Sequence, residues 1–97
     1  MTDLEMTRLC AEAAGILLIG SLEGANGIKL FNGKLYDPLH DDAQAMALIK
    51  RFHIELWYDT RWAGQIRNLL NTQAIDADLN RAIVQVVAQA QQAKEAK

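Results

Sequence analysis

The sequence is poor in most of the residues that announce a function outright. A single cysteine, Cys10, stands in 97 residues, which excludes an intramolecular disulfide and a zinc site built on thiolates alone. With one proline, 23% charged residues and 51% hydrophobic ones, neither disorder nor low complexity describes the whole chain. No apolar run approaches the ~18–20 residues of a membrane span; Ile16 to Ile19 is a short one. The N-terminus, Met1-Thr2-Asp3-Leu4-Glu5, lacks the basic start of a signal peptide, so the cytoplasm is the expected compartment. A formal charge of −2 offers no bulk attraction to nucleic acid or to an anionic membrane, and no membrane partner is expected. Two tryptophans, two tyrosines and two phenylalanines are all the aromatics there are, so where each one sits is informative.

What is present fits one domain over residues 1–97, by the usual prior of roughly 100–200 residues per domain. Its ordered core is expected over about 2–90. Thr2 followed by Glu5 reads as a capping box opening a helix, with Met6, Leu9, Cys10 and Ala13 on its apolar face and Gly15 as its left-handed stop. Cys10 on that stripe is expected to act as a small hydrophobe.

Residues 16–36 change to strand punctuation. Ile16 to Ile19, Ile28 to Phe31 and Lys34 to Tyr36 predict a three-strand meander, with a wide first connection from Gly20 to Gly27. Asn26-Gly27 and Asn32-Gly33 are both favoured pairs for type I′ hairpin turns. Gly24 and Gly27 make no phosphate loop, since no lysine with serine or threonine follows them.

Asp41 with Gln44 is a second capping box. It opens a helix to about Arg51 whose broad apolar face holds Ala43, Met46, Ala47, Leu48 and Ile49. Phe52 to Asp59 then alternates, with Phe52, Ile54, Leu56 and Tyr58 on one face and His53, Glu55, Trp57 and Asp59 on the other. Thr60 to Gly64 reads as a turn or loop, and residues 65–70 as a possible fifth strand. Asp76 is expected to cap a last helix on the stripe Leu79, Ala82, Ile83, Val86, Val87 and Ala90, with the polar tail 91–97 frayed. The order α-β-β-β-α-β-(β)-α predicts an α+β domain, a helix-sheet-helix layered sandwich on a mostly antiparallel sheet.

The run from Leu35-Tyr36-Asp37-Pro38-Leu39-His40-Asp41-Asp42 through Ala43 to Phe52 resembles the centre of the phage ABA sandwich domain family. The closing Asp78-Leu79-Asn80-Arg81-Ala82-Ile83-Val84, the opening Thr2-Asp3-Leu4-Glu5, and Arg8-Leu9-Cys10 fit the same pattern. The resemblance implies helix layers around a sheet and a phage or prophage origin in a bacterial cell. It implies no catalytic residues.

Asp37, His40, Asp41 and Asp42 form the most enzyme-like cluster, since a metal takes carboxylates and imidazoles. Each has a plainer role, in the Asp37-Pro38 turn or at the following helix start. No Ser-His-Asp or Cys-His pattern appears, and the expectation is no enzyme, no catalytic residue, no metal and no cofactor. Trp57 on a polar strand face needs cover, and a second helix layer, a partner chain or stacked bases would each supply it. Trp57, Trp62, Phe31, Arg61 and Arg67 are therefore the candidate partner surface, the partner being a second copy of the chain or a phage or host protein. The alternative is nucleic acid. Lys50, Arg51, Arg61 and Arg67 would then provide the charge, and Trp57 and Trp62 the stacking.

Overall fold

A computed structural model describes residues 1–24, 27–67 and 73–95. The chain is an α+β domain, and its described residues form three helices and two three-stranded antiparallel sheets in the order α-β-β-β-α-β-β-β-α. None of the described helices is long and apolar enough to cross a membrane.

Helix α1 spans Asp3–Ala13 and starts as its sequence dictates, Thr2 Oγ1 accepting the Glu5 amide at 3.1 Å. It ends in a Schellman turn: Gly15 has φ +73, and the amides of Gly15 and Ile16 return to the carbonyls of Glu12 and Ala11. The first sheet follows, with β1 at Leu22–Gly24, β2 at Gly27–Lys29 and β3 at Leu35–Tyr36. The meander is there, but its first strand is displaced. Ile16 to Ile19 is unpaired, and the strand lies inside the stretch expected to be a connection. Gly27 is correspondingly a strand residue, in register with Gly24, and position 26 of the expected Asn-Gly turn is outside the described residues.

The Asn32-Gly33 turn forms with a different geometry from type I′. The Gly33 amide bonds to Leu30 O at 2.9 Å, Leu30 N bonds to Lys34 O at 2.8 Å, and of the pair only Gly33 has positive φ. This is a type I turn closed by a left-handed glycine, in which the Asn32 side chain accepts the Lys34 amide instead of bending its own backbone.

Helix α2 spans Asp42–Phe52, with Asp41 as its cap accepting the Gln44 amide at 3.0 Å. Its buried face is Ala45 and Leu48 with Ile49 and Phe52 half-buried, whereas Ala43, Met46 and Ala47 face out. Phe52 thus belongs to the helix, and His53, at φ 53, is its left-handed cap.

The second sheet comprises β4 at Ile54–Asp59, β5 at Arg61–Ile66 and β6 at Gln73–Asp76. The expected loop over 60–64 is mostly strand, because Thr60, at φ 50, makes the turn alone and leaves Arg61 to Ile66 free to pair. Of the expected strand over 65–70, residues 68–70 lie outside the described residues. Since β6 uses Asp76, the cap of α3 (Leu79–Glu95) moves to Asp78, whose carboxylate accepts the Arg81 amide at 3.2 Å.

Helix α3 is the centre of the molecule, packing on α1, on α2 and on β5 and β6. From residue 82 to 88 only Gln85 escapes full burial. The expected stripe omits Val84 and Ala88, which lie on the side facing α1, where the Cys10 thiol donates to the Val84 carbonyl at 3.3 Å. A helix apolar nearly all round is a core helix rather than a surface one.

The tail 91–97, expected to fray, is helical as far as Glu95, and residues 96 and 97 lie outside the described residues. Gln91 is half-buried, its amide reaches Glu95 at 3.4 Å, and the helix continues to Glu95. That extension brings Glu95 to Glu12 of α1. The hydrogen bond and negative charge of Glu95, with some desolvation, raise the Glu12 carboxyl above the usual carboxylate range. The native state therefore holds a proton more tightly than the unfolded chain. Stability from this contact is fully present below the ordinary glutamate value and is lost as pH rises through the raised one. Glu95→Gln is expected to remove that dependence and to raise the unfolding midpoint slightly at neutral pH while leaving it unchanged in acid; equal shifts at both pH values would overturn the account.

Candidate functional site

Strand alternation decides which side chains meet on the second sheet. Register pairs Ile54 with Ile66, Leu56 with Gly64 and Tyr58 with Trp62, and this face meets α3, the Ala82 carbonyl lying 3.8 Å from where a Cβ on Gly64 would stand. The other face carries Glu55, Trp57 and Asp59 from β4, Arg61, Ala63 and Gln65 from β5, and Gln73 and Ile75 from β6. Across its middle runs a row of three cross-strand neighbours, Trp57, Ala63 and Ile75.

The outer residues of this row are open, Trp57 at 40% and Ile75 at 56% exposure, whereas Ala63 between them is buried at 4%. No helix among the described residues covers this face. Trp57 and Ile75 shield the small residue between them and are themselves left uncovered. A lone exposed hydrophobe is ordinary, but an apolar row across a bare sheet face is a candidate contact surface.

Charges of both signs rim the row. Asp59 and Arg61 are register partners at one end, and Glu55 and Arg67 approach to 3.8 Å at the other, both well exposed. A pair so exposed adds little stability.

The five residues expected to share a surface do not share one. Trp62 lies on the opposite face from Trp57, half-buried and tilted against Tyr58 at 5.0 Å between ring centroids. Two residues of one hairpin share a face only when they lie an even number of positions out of register, and Trp57 pairs with Ala63, one position from Trp62. Phe31 is in the turn of the first sheet. Arg61 and Arg67 do flank Trp57, with Glu55 and Asp59 beside them. Lys50 and Arg51 are away in the last turn of α2, where the Arg51 guanidinium sits 5.9 Å from the Phe52 ring centroid. The basic face with two interleaved tryptophans is therefore not assembled. Ile75, missed because residues 73–76 were not read as a strand, belongs to the site in their place.

The acidic cluster resolves into structural roles. The buried Asp37 carboxylate meets His40 Nδ1 at 2.8 Å, Asp41 caps α2, and Asp42 accepts from Asn80 at 2.8 Å. Among the described residues no three His, Cys, Asp or Glu side chains gather to hold a metal ion. The ring of His40 bonds, among those residues, to Asp37 alone. An apolar groove between α2 and the start of α3, lined by Ala45, Met46, Ile49, Leu79 and Ile83, does not include His40.

Burial pushes the Cys10 thiol up to about 12, so it stays protonated, and it is fully enclosed. Tyr36 is likewise raised by burial, and its hydroxyl is enclosed without a partner among the described residues. Neither group is placed to act on a substrate.

Comparison of the chain with protein-family models, curated proteins and solved structures finds no match.

Proposed function

We propose that the chain is a small non-enzymatic accessory module that acts by protein–protein binding, its partner on the second sheet being another copy of itself. The observation that carries this reading is the bare row Trp57, Ala63, Ile75 with charges of both signs on either side of it along β4 and β5. A two-fold axis parallel to β5 lays Trp57 of one copy on Ile75 of the other, at the ordinary sheet-to-sheet spacing of about 10 Å. The same operation sets Arg61 over its own image with Asp59 of each copy one strand spacing, about 4.8 Å, to the side, so the four charges at that rim sum to zero. A surface of one sign would repel its own image. The resemblance to the phage ABA sandwich domain supports a phage or prophage setting in the bacterial cytoplasm for such a module.

Light scattering across a concentration series tests the reading. The wild-type chain is expected to dimerise, and Trp57→Glu, which sets a carboxylate where an aromatic anchor is buried, is expected to weaken the dimer by roughly 30-fold or more. Trp62→Phe, on the covered face, leaves it intact. A wild-type chain that stays monomeric at high concentration overturns the proposal, as does a dimer indifferent to Trp57→Glu.

A further inference from the structure

The first sheet carries a second unpartnered apolar surface, and its charge is of one sign. Register on β1, β2 and β3 puts Glu23, Ile28 and Tyr36 on one face and Leu22, Lys29 and Leu35 on the other. Ile28 and Tyr36 are in the core, while Leu22 is 69% and Leu35 50% exposed. Alternation carries the same polarity into the flanking segments. Ile16, Leu18 and Leu30 pack inward, whereas Leu17, Ile19 and Phe31 point out at 67%, 77% and 83% exposure. These segments adjoin each other, since a Cβ on Gly20 would stand 3.1 Å from the Phe31 ring.

We propose that this outward face of the first sheet, tipped by Phe31, seats on an anionic lipid surface. The shape supports it first. The apolar side chains project from a hairpin tip and a neighbouring bend rather than lining a groove, and a fluid interface needs no preformed pocket to take them up. The charge supports it next. Lys29 sits in the row between Leu22 and Leu35, and Lys34, opposite the inward Leu30, is exposed at the edge of the tip; neither has an acidic partner among the described residues. Glu23, the acid of this lobe, lies on the inner face and approaches Arg8 of α1 at 3.8 Å. The formal charge of −2, which excludes bulk attraction to a membrane, hides this local excess of cations.

A second copy is disfavoured as the occupant, because pairing this face with its own image sets Lys29 against Lys29. On a lipid surface the same lysine extends its stem along Leu22 and Leu35 and places its ammonium among the headgroups. Each lysine near an anionic leaflet strengthens binding by roughly fivefold, and each inserted large apolar side chain by roughly tenfold. The proposal is independent of self-association, since Trp57 is on the other sheet.

The test is co-sedimentation of the full chain with vesicles of phosphatidylcholine alone and of phosphatidylcholine mixed with phosphatidylglycerol. Retention is expected on the mixed vesicles at low salt, falling as salt is added and falling to the phosphatidylcholine level in Lys29→Glu/Lys34→Glu. Phe31→Ser is expected to weaken retention roughly tenfold, with its circular dichroism unchanged because the side chain leaves no core contact. Absence of retention on phosphatidylglycerol vesicles overturns the proposal and leaves a protein as the occupant. Retention unaffected by Phe31→Ser also overturns it, because adsorption is then electrostatic alone.

Discussion

Gly27→Ala is expected to cost about 3 kcal/mol or more of folding stability, while Gly33→Ala costs about 1 kcal/mol. Both glycines have positive φ, +116 and +85, so backbone preference alone does not separate them. Space does. A Cβ on Gly27 would stand 2.6 Å from the Tyr36 carbonyl oxygen and 2.8 Å from the Asp37 Cβ, whereas one on Gly33 meets nothing within 4 Å. The neighbours of Gly27 cannot yield cheaply. Tyr36 is paired with Ile28, and Asp37 is buried, its carbonyl accepting the amides of His40 and Asp41 as the chain turns toward α2. Gln44 of α2 clasps the same connection, its side chain accepting the Asp37 amide and donating to the Leu35 carbonyl at 2.8 Å. An added methyl group at position 27 therefore pushes on the first sheet and on the start of α2 together. Denaturant midpoints of the two variants check this. Equal losses would mean that the contact with Tyr36 and Asp37 carries no weight.

What was legible in the sequence was local. Thr2, Gly15 and Asp41 do what their residue types demand, because a cap or a left-handed stop involves only backbone a few residues away. Trp57 was legible as an outward residue for a similar reason: period two needs no knowledge of the partner strand. The illegible parts depended on distant pairing. Residues 73–76 become a strand because β5 stands beside them, and nothing within four residues marks that. Ile16 to Ile19 has strand composition and pairs with no strand among the described residues, while Leu22–Gly24, with weaker propensity, finds β2. Propensity offers a strand, and tertiary pairing decides it. The face of Trp62 turned on a single residue, Thr60, whose tight turn set the register of the whole hairpin.

The same division sets the other large effect. Val84→Asp is expected to unfold the chain, costing about 4 kcal/mol or more against a total of roughly 5–15 kcal/mol for a domain of this kind. On the stripe read from the sequence, position 84 is off the apolar face and the substitution would be mild. In the structure Val84 is fully buried on the side of α3 that packs against α1, with its carbonyl taking the Cys10 thiol. A carboxylate there has no free cation to meet among the described residues. The charges that anchor this region, Arg81 with Asp3 at 2.8 Å and with Asp76 at 3.6 Å, lie at the first turn of α3 and are already engaged. Val84→Ala separates packing from charge, and at about 2 kcal/mol it should leave a folded protein with a lowered midpoint. Gln92→Asp, on the exposed end of the helix, should change stability by no more than about 0.5 kcal/mol. Circular dichroism and denaturant titration of the three variants read the order directly. A Val84→Asp chain with a wild-type midpoint would mean that α3 is a surface helix with one apolar face, and that the packing of α1 on its second side does not hold the fold.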